Sequence, residues 1–98
     1  MKLISKRLQV WHYPQVPCEP FIVDVKDEYE AVKIINTLAD QHIWLLQNRL
    51  IPDYTNTFEV VMWDEEESDW AVYYNEEEQL SWEEFEEVYE NEIISQII

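Results

Sequence analysis

A small α+β domain, a short antiparallel sheet covered by helices in β-β-α-β-β-α order, is the fold class this sequence predicts. Three observations carry that prediction. Short runs rich in β-formers bracket a proline-rich connection early in the chain. Two acceptor-then-glutamate pairs, Asp27 with Glu30 and Ser81 with Glu84, have the spacing of helix capping boxes. An acidic turn at 64–69 separates two strand-like runs as a hairpin would. With 98 residues, 47% of them hydrophobic, the chain has the size and apolar content for one core, so residues 1–98 read as a single domain.

Taken in order, "RLQVWHY" at 7–13 alternates and reads as a strand. Pro14, Pro17 and Pro20 then force an extended connection that cannot donate a full ladder. "FIVDV" at 21–25 is the second strand. Asp27 opens a helix whose apolar positions Val32, Ile35, Leu38 and Ala39 carry it to about Asp40, and "HIWLLQNRLI" reads as a second short helix stopped by Pro52. "TFEVVMW" at 57–63 and "WAVYYN" at 70–75 form the hairpin, with Tyr73 and Tyr74 on opposite faces and one of them exposed. Ser81 opens a last helix near 82–94, its inner face formed by Trp82, Phe85, Val88 or Tyr89, Ile93 and Ile97. The sequence contains no glycine, so Asn, Asp and Pro must make the turns.

Charge divides the chain in two. Of 22 acids and 6 bases, residues 1–49 hold six acids and all six bases, so the net charge of −16 belongs to residues 50–98. Such a field repels nucleic acid and anionic membranes and draws in basic partners at rates that fall with salt. Direct nucleic-acid binding is therefore not expected. No run reaches the roughly 20 apolar residues of a membrane span. A lone Cys18 cannot form an internal disulfide, which together with the unsignal-like start "MKLISKRLQVWHYP" leads to the expectation of a cytoplasmic protein.

Little supports catalysis. His12, His42 and Cys18 are the only soft ligands or bases and show no ligand spacing; His42 is expected beside Trp44 or facing water. Without glycine there is neither a nucleophile elbow nor a phosphate-cradling loop. "DEEESD" offers carboxylates but lacks the glycine and closing carboxylate of a calcium loop. No enzyme activity, cofactor or metal is expected.

The aromatic residues Trp63, Trp70, Trp82, Phe85 and Tyr89 fall at strand or helix periods and read mainly as core. The acids are harder to dismiss as a solvated face. On the last helix they repel one another at i,i+3 and i,i+4 spacing, a cost of a few tenths of a kcal/mol per pair that alternating lysines would avoid. From Glu83 to Glu92 they recur about every 2.5 Å of helix axis, against about 1.7 Å per phosphate in duplex DNA. The candidate binding residues are thus Asp64, Glu65, Glu66, Glu67 and Asp69 at the hairpin tip, Tyr74, Glu76, Glu77 and Glu78 beyond it, and Glu83, Glu86, Glu87 and Glu90 on the helix.

The segments "VWHYPQVPCEPFIVDVKDEYEAVKIINTLADQHIWLL", "IPDYTN" and "FEVVMWDEEESDWAVYY" resemble small phage and prophage superinfection-exclusion proteins. The resemblance covers roughly residues 10–75 and is most specific in the proline-rich segment with Phe21, in "NTLAD" at 36–40 and in "PDY" at 52–54. Where that family carries a glycine-containing turn, this chain has Thr57 and Phe58. The resemblance implies a phage or mobile-element origin and no particular mechanism. From Asn75 onward the chain is similar only in style to anti-CRISPR and antirestriction DNA mimics.

The expectation from sequence is a phage-encoded, non-enzymatic inhibitor that fills the basic groove of a host defence nuclease as a nucleic-acid mimic. The alternative is a superinfection-exclusion or regulatory protein that binds another host or phage protein. Ile93, Ile94, Ile97 and Ile98 are expected to fold back or to pair with a second copy. A monomer is favoured over a homodimer, since dimerisation brings two strongly acidic domains together.

Overall fold

A computed structural model of the chain describes residues 2–14, 18–51 and 57–97. Its elements are β1 (Leu8–Tyr13), β2 (Phe21–Val25), α1 (Glu28–Gln47), β3 (Thr57–Asp64), β4 (Asp69–Val72), β5 (Tyr74–Asn75), β6 (Leu80–Ser81) and α2 (Trp82–Ile97). Strands β2-β1-β3-β4 form one antiparallel sheet, with β5 and β6 as a separate two-stranded ribbon. This is the α+β class expected, with the small ribbon added.

The register settles which side chains share a face. Val10 lies opposite Val23 on one side and Val60 on the other, and Leu8 lies between Val25 and Met62. Because strand side chains alternate, these residues form one face of the sheet, and they enter the core with Ala31 and Val32 of α1 and Trp82 and Phe85 of α2. Both helices therefore cover this side. Phe85 is fully buried, stacked on Trp82 with ring centres 5.1 Å apart. Truncating a buried phenylalanine to alanine costs about 3–5 kcal/mol. The opposite face presents Trp11, Trp63 and Trp70, with Ile22 and Val72 exposed at its margins.

Two boundaries differ from the sequence reading. Helix α1 does not break near Asp40; it runs unbroken to Gln47. Nothing at 40–42 stops a helix, because Asp40 and Gln41 lie exposed on its outer side while His42 continues the inward stripe. It ends in a backbone closure just beyond Gln47, and Pro52, the expected stop, lies outside the described residues. The Leu50 amide donates to the Leu45 carbonyl (2.9 Å) and that of Arg49 to Leu46 (3.0 Å), with Arg49 at φ 57°. This is a Schellman closure with arginine where glycine is usual. The second difference is in the hairpin. β4 ends at Val72, the Tyr73 amide still donates to the Val60 carbonyl (3.0 Å), and the Tyr73 ring turns into the core. Tyr74 then leaves the sheet to pair with Ser81.

Both predicted caps form. Asp27 Oδ1 accepts from the Glu30 amide at 2.9 Å. Ser81 and Glu84 exchange bonds in both directions, with the Ser81 amide donating to Glu84 Oε1 (3.2 Å) and the Glu84 amide to Ser81 Oγ (3.4 Å). Pro52, Asp53 and Tyr54 and the side chains of Ile93, Ile94, Ile97 and Ile98 lie outside the described residues.

Candidate functional site

Two acidic turns are built to the same plan. In "DEEES" the Asp64 carboxylate accepts from the amides of Glu66 (3.0 Å) and Glu67 (3.3 Å), and Ser68 closes the turn at φ 51°. In "NEEEQ" the Asn75 side-chain oxygen accepts from the Glu78 amide (3.1 Å), and Gln79 closes at φ 55°. An Asx residue that bonds its own backbone fixes the first half of each turn. A non-glycine residue in the left-handed region completes it, at roughly 1–2 kcal/mol of backbone strain. The three glutamates between them are held outward in each case, all exposed.

Asn75 itself is buried, and its amide donates to the Lys2 carbonyl at 2.8 Å. The second turn is thereby tied to the N-terminal segment. Lys2 also binds it through charge, with Nζ 3.2 Å from Glu77 Oε2 and its backbone amide donating to Glu78 Oε1 at 3.1 Å. Tyr74, 43% exposed, lies with Glu76 and Glu77 along a cleft of about 250 Å³ whose other wall is Lys2, Ile4 and Lys6. At the first turn Arg7 stacks over Trp70, 5.4 Å from the ring centre, and approaches Asp24 at 4.0 Å. No lysine or arginine pairs with Glu65, Glu66 or Glu67 among the described residues.

The structure thus places the candidate acids on three separate elements and sorts them by role. Glu65, Glu66, Glu67, Glu76, Glu83, Glu87 and Glu90 are exposed with carboxylates free for a partner. Asp64 is half-buried and spent on its own turn, and Asp69 accepts from the next amide, that of Trp70, at 2.8 Å. Glu77 and Glu78 are engaged by Lys2. Glu86 is half-buried, and burial pushes its carboxyl pKa upward, the charges of Glu90 and Glu83 adding to the effect. These findings correct the phosphate-spacing argument. With Glu84 folded back as a cap and Glu86 drawn inward, the outward series Glu83, Glu87, Glu90 recurs only about every 5 Å along the axis. That is about a third of the density of DNA phosphates.

Sequence reasoning missed a buried polar centre. Glu28 is 0% exposed; its Oε2 accepts from the Tyr73 hydroxyl at 2.9 Å and from the Ile4 amide at 3.0 Å. Burial, then the bond to Glu28 and its charge, raise the Tyr73 pKa far above the ordinary tyrosine range. The signal was present in the helical phase, since residues 28, 31/32, 35 and 42 lie on one stripe. The same phase carries His42 inward. It is 4% exposed, not facing water, and meets His12 edge-on at 6.2 Å, while His12 stacks on Phe58 at 4.6 Å. Among the described residues no group of three or more His, Cys, Asp or Glu side chains is arranged to hold a metal ion. No helix there is long and apolar enough to cross a membrane.

The fold and surface define a small acidic α+β protein whose exposed carboxylates stand on preformed turns. The chain belongs to the superinfection exclusion gene product 17 family, whose model matches residues 7–94. It is also similar to the superinfection exclusion protein of Salmonella phage P22, being 43% identical over 63 residues. That match covers 64% of this chain and 61% of the P22 protein, so the chain spans about three fifths of its relative's length. No solved structure matches it.

Proposed function

We propose that this phage-type protein contributes to superinfection exclusion without catalysis, by docking its acidic turns on a basic surface of a host or phage protein. The observation that carries this reading is the pair of matching turns, which hold Glu65–Glu67 and Glu76–Glu78 in solvent on a hydrogen-bonded frame. A merely solubilising charge run needs no such frame, and two strained closures maintain it. Preformed turns present charge with little ordering entropy left to lose, which favours affinity as well as steering. The family match supports exclusion as the setting. The sparse outward charges of α2 give no reason to narrow the partner to a nuclease groove.

The test is capture from host lysate by immobilised protein at low and high salt, beside a variant with Glu65, Glu66 and Glu67 replaced by Gln. A partner held by the parent at low salt should be released at high salt and lost by the variant. Added duplex DNA reveals whether the surface occupied is a nucleic-acid site. A partner held equally by parent and variant would overturn the reading.

A further inference from the structure

The sheet face turned away from the helices has a chemistry that the acidic turns do not explain. Trp63 and Trp70 are register partners on β3 and β4, their rings 5.3 Å apart and nearly edge-on. Trp11 on β1 is held in place by a chain of bonds, its Nε1 donating to Gln9 Oε1 (3.0 Å) and Gln9 Nε2 to Asp24 Oδ1 (2.9 Å). Ile22 and Val72 extend the apolar area at 48% and 68% exposure. None of these five residues belongs to the core cluster, which both helices close from the other side. Aromatic side chains presented on a rigid face are the usual anchors of protein interfaces, because they bury large area for little lost rotamer freedom.

Charge indicates what sits there. Asp24 and Glu59 lie on the same face, and the hairpin tip borders it. A basic neighbour, Arg7, already rests on the Trp70 ring and reaches toward Asp24. That contact shows within the chain how a guanidinium is received on this surface, by an indole face with a carboxylate beside it. A second copy of the chain is the poor occupant, since each carries a net −16. The geometry points to this face as a docking platform for an apolar segment of a partner protein that carries arginine, with Trp11, Trp63 and Trp70 as its anchors. The inference rests on the proposed protein-binding function and adds a second, aromatic contact to the acidic one.

The experiment is a titration of the isotope-labelled protein with a short peptide alternating arginine and leucine, read in amide and indole N–H spectra. Peptides alternating glutamate with leucine, and lysine with serine, serve as controls. The indole signals of Trp11, Trp63 and Trp70 should move with the arginine–leucine peptide alone, while those of Trp44 and Trp82 stay. Replacing Trp63 with Thr should weaken that peptide roughly tenfold or more, the loss typical of an interface anchor. Shifts confined to Glu65–Glu67 and Glu76–Glu78, equal for lysine–serine, would overturn the platform while leaving the acidic reading intact. Indole shifts that follow protein concentration without peptide would assign the face to a second copy and overturn it too, as would no shift with any peptide.

Discussion

Replacing Tyr73 with Phe removes one oxygen from the centre of the molecule and leaves everything else in place. The hydroxyl donates to Glu28 Oε2 at 2.9 Å, and that carboxylate has no solvent exposure and one other donor, the Ile4 amide. A hydrogen bond to a charged group contributes about 1.5–3 kcal/mol, so the variant should lose about 2 kcal/mol near neutral pH. For a domain of this size that lowers Tm by about 10 °C. The pH dependence is more diagnostic. The folded-state pKa of Tyr73 is raised above its unfolded value near 10, so its contribution is fully present below pH 10. Above that pH the unfolded state ionises while the folded state does not, and stability falls by about 1.4 kcal/mol per pH unit. The Phe variant lacks this slope. Urea unfolding of both proteins, followed by tryptophan fluorescence from neutral pH to about 11.5, should show stabilities that differ by about 2 kcal/mol at neutral pH and converge above pH 10. A gap that stays constant across the alkaline range, or one below about 0.5 kcal/mol throughout, would refute the buried Glu28–Tyr73 bond.

Further outcomes follow from the turns and caps. Arg49→Gly, at the φ 57° closure of α1, and Ser68→Gly, at φ 51°, should each stabilise by about 0.5–1 kcal/mol in urea unfolding, because glycine relieves left-handed strain while adding unfolded-state entropy. Ser81→Ala removes the reciprocal cap of α2 and should cost about 1 kcal/mol in the same assay. Replacing Glu65, Glu66 and Glu67 together by Gln should leave Tm unchanged or slightly higher, since these exposed side chains make no ion pair among the described residues and repel one another.

Those outcomes separate what local sequence encodes from what tertiary packing decides. The caps at Asp27 and Ser81 were legible because a side chain and an amide three residues apart satisfy each other without outside help. The strands were legible by alternation, and so was the exposure of one of the two tyrosines 73 and 74. The apolar set from Val32 to Ala39 suggests a helix to about Asp40 followed by a second one, whereas exposed Asp40 and Gln41 mark only the wet side of one continuing helix. Residue type argues for the surface at both Glu28 and His42, whereas helical phase places them inward, and the phase prevails. The left-handed closures at Arg49, Ser68 and Gln79 could not be read from residue type, since none is a usual choice for that backbone. At the candidate site, composition identified the acids but not their division into free, capping and ion-paired groups. That division depends in part on Lys2, from the far end of the chain.

In the proposed function, outward carboxylates on preformed turns, and not the fold alone, carry exclusion. The direct measurement is the plating efficiency of a challenging phage on cells producing either the parent chain or a variant with Glu65–Glu67 and Glu76–Glu78 replaced by Gln, at matched protein levels and matched Tm. The parent should lower plating, and the variant should restore it towards that of cells without the protein. Exclusion by the variant equal to that of the parent would contradict the proposed function.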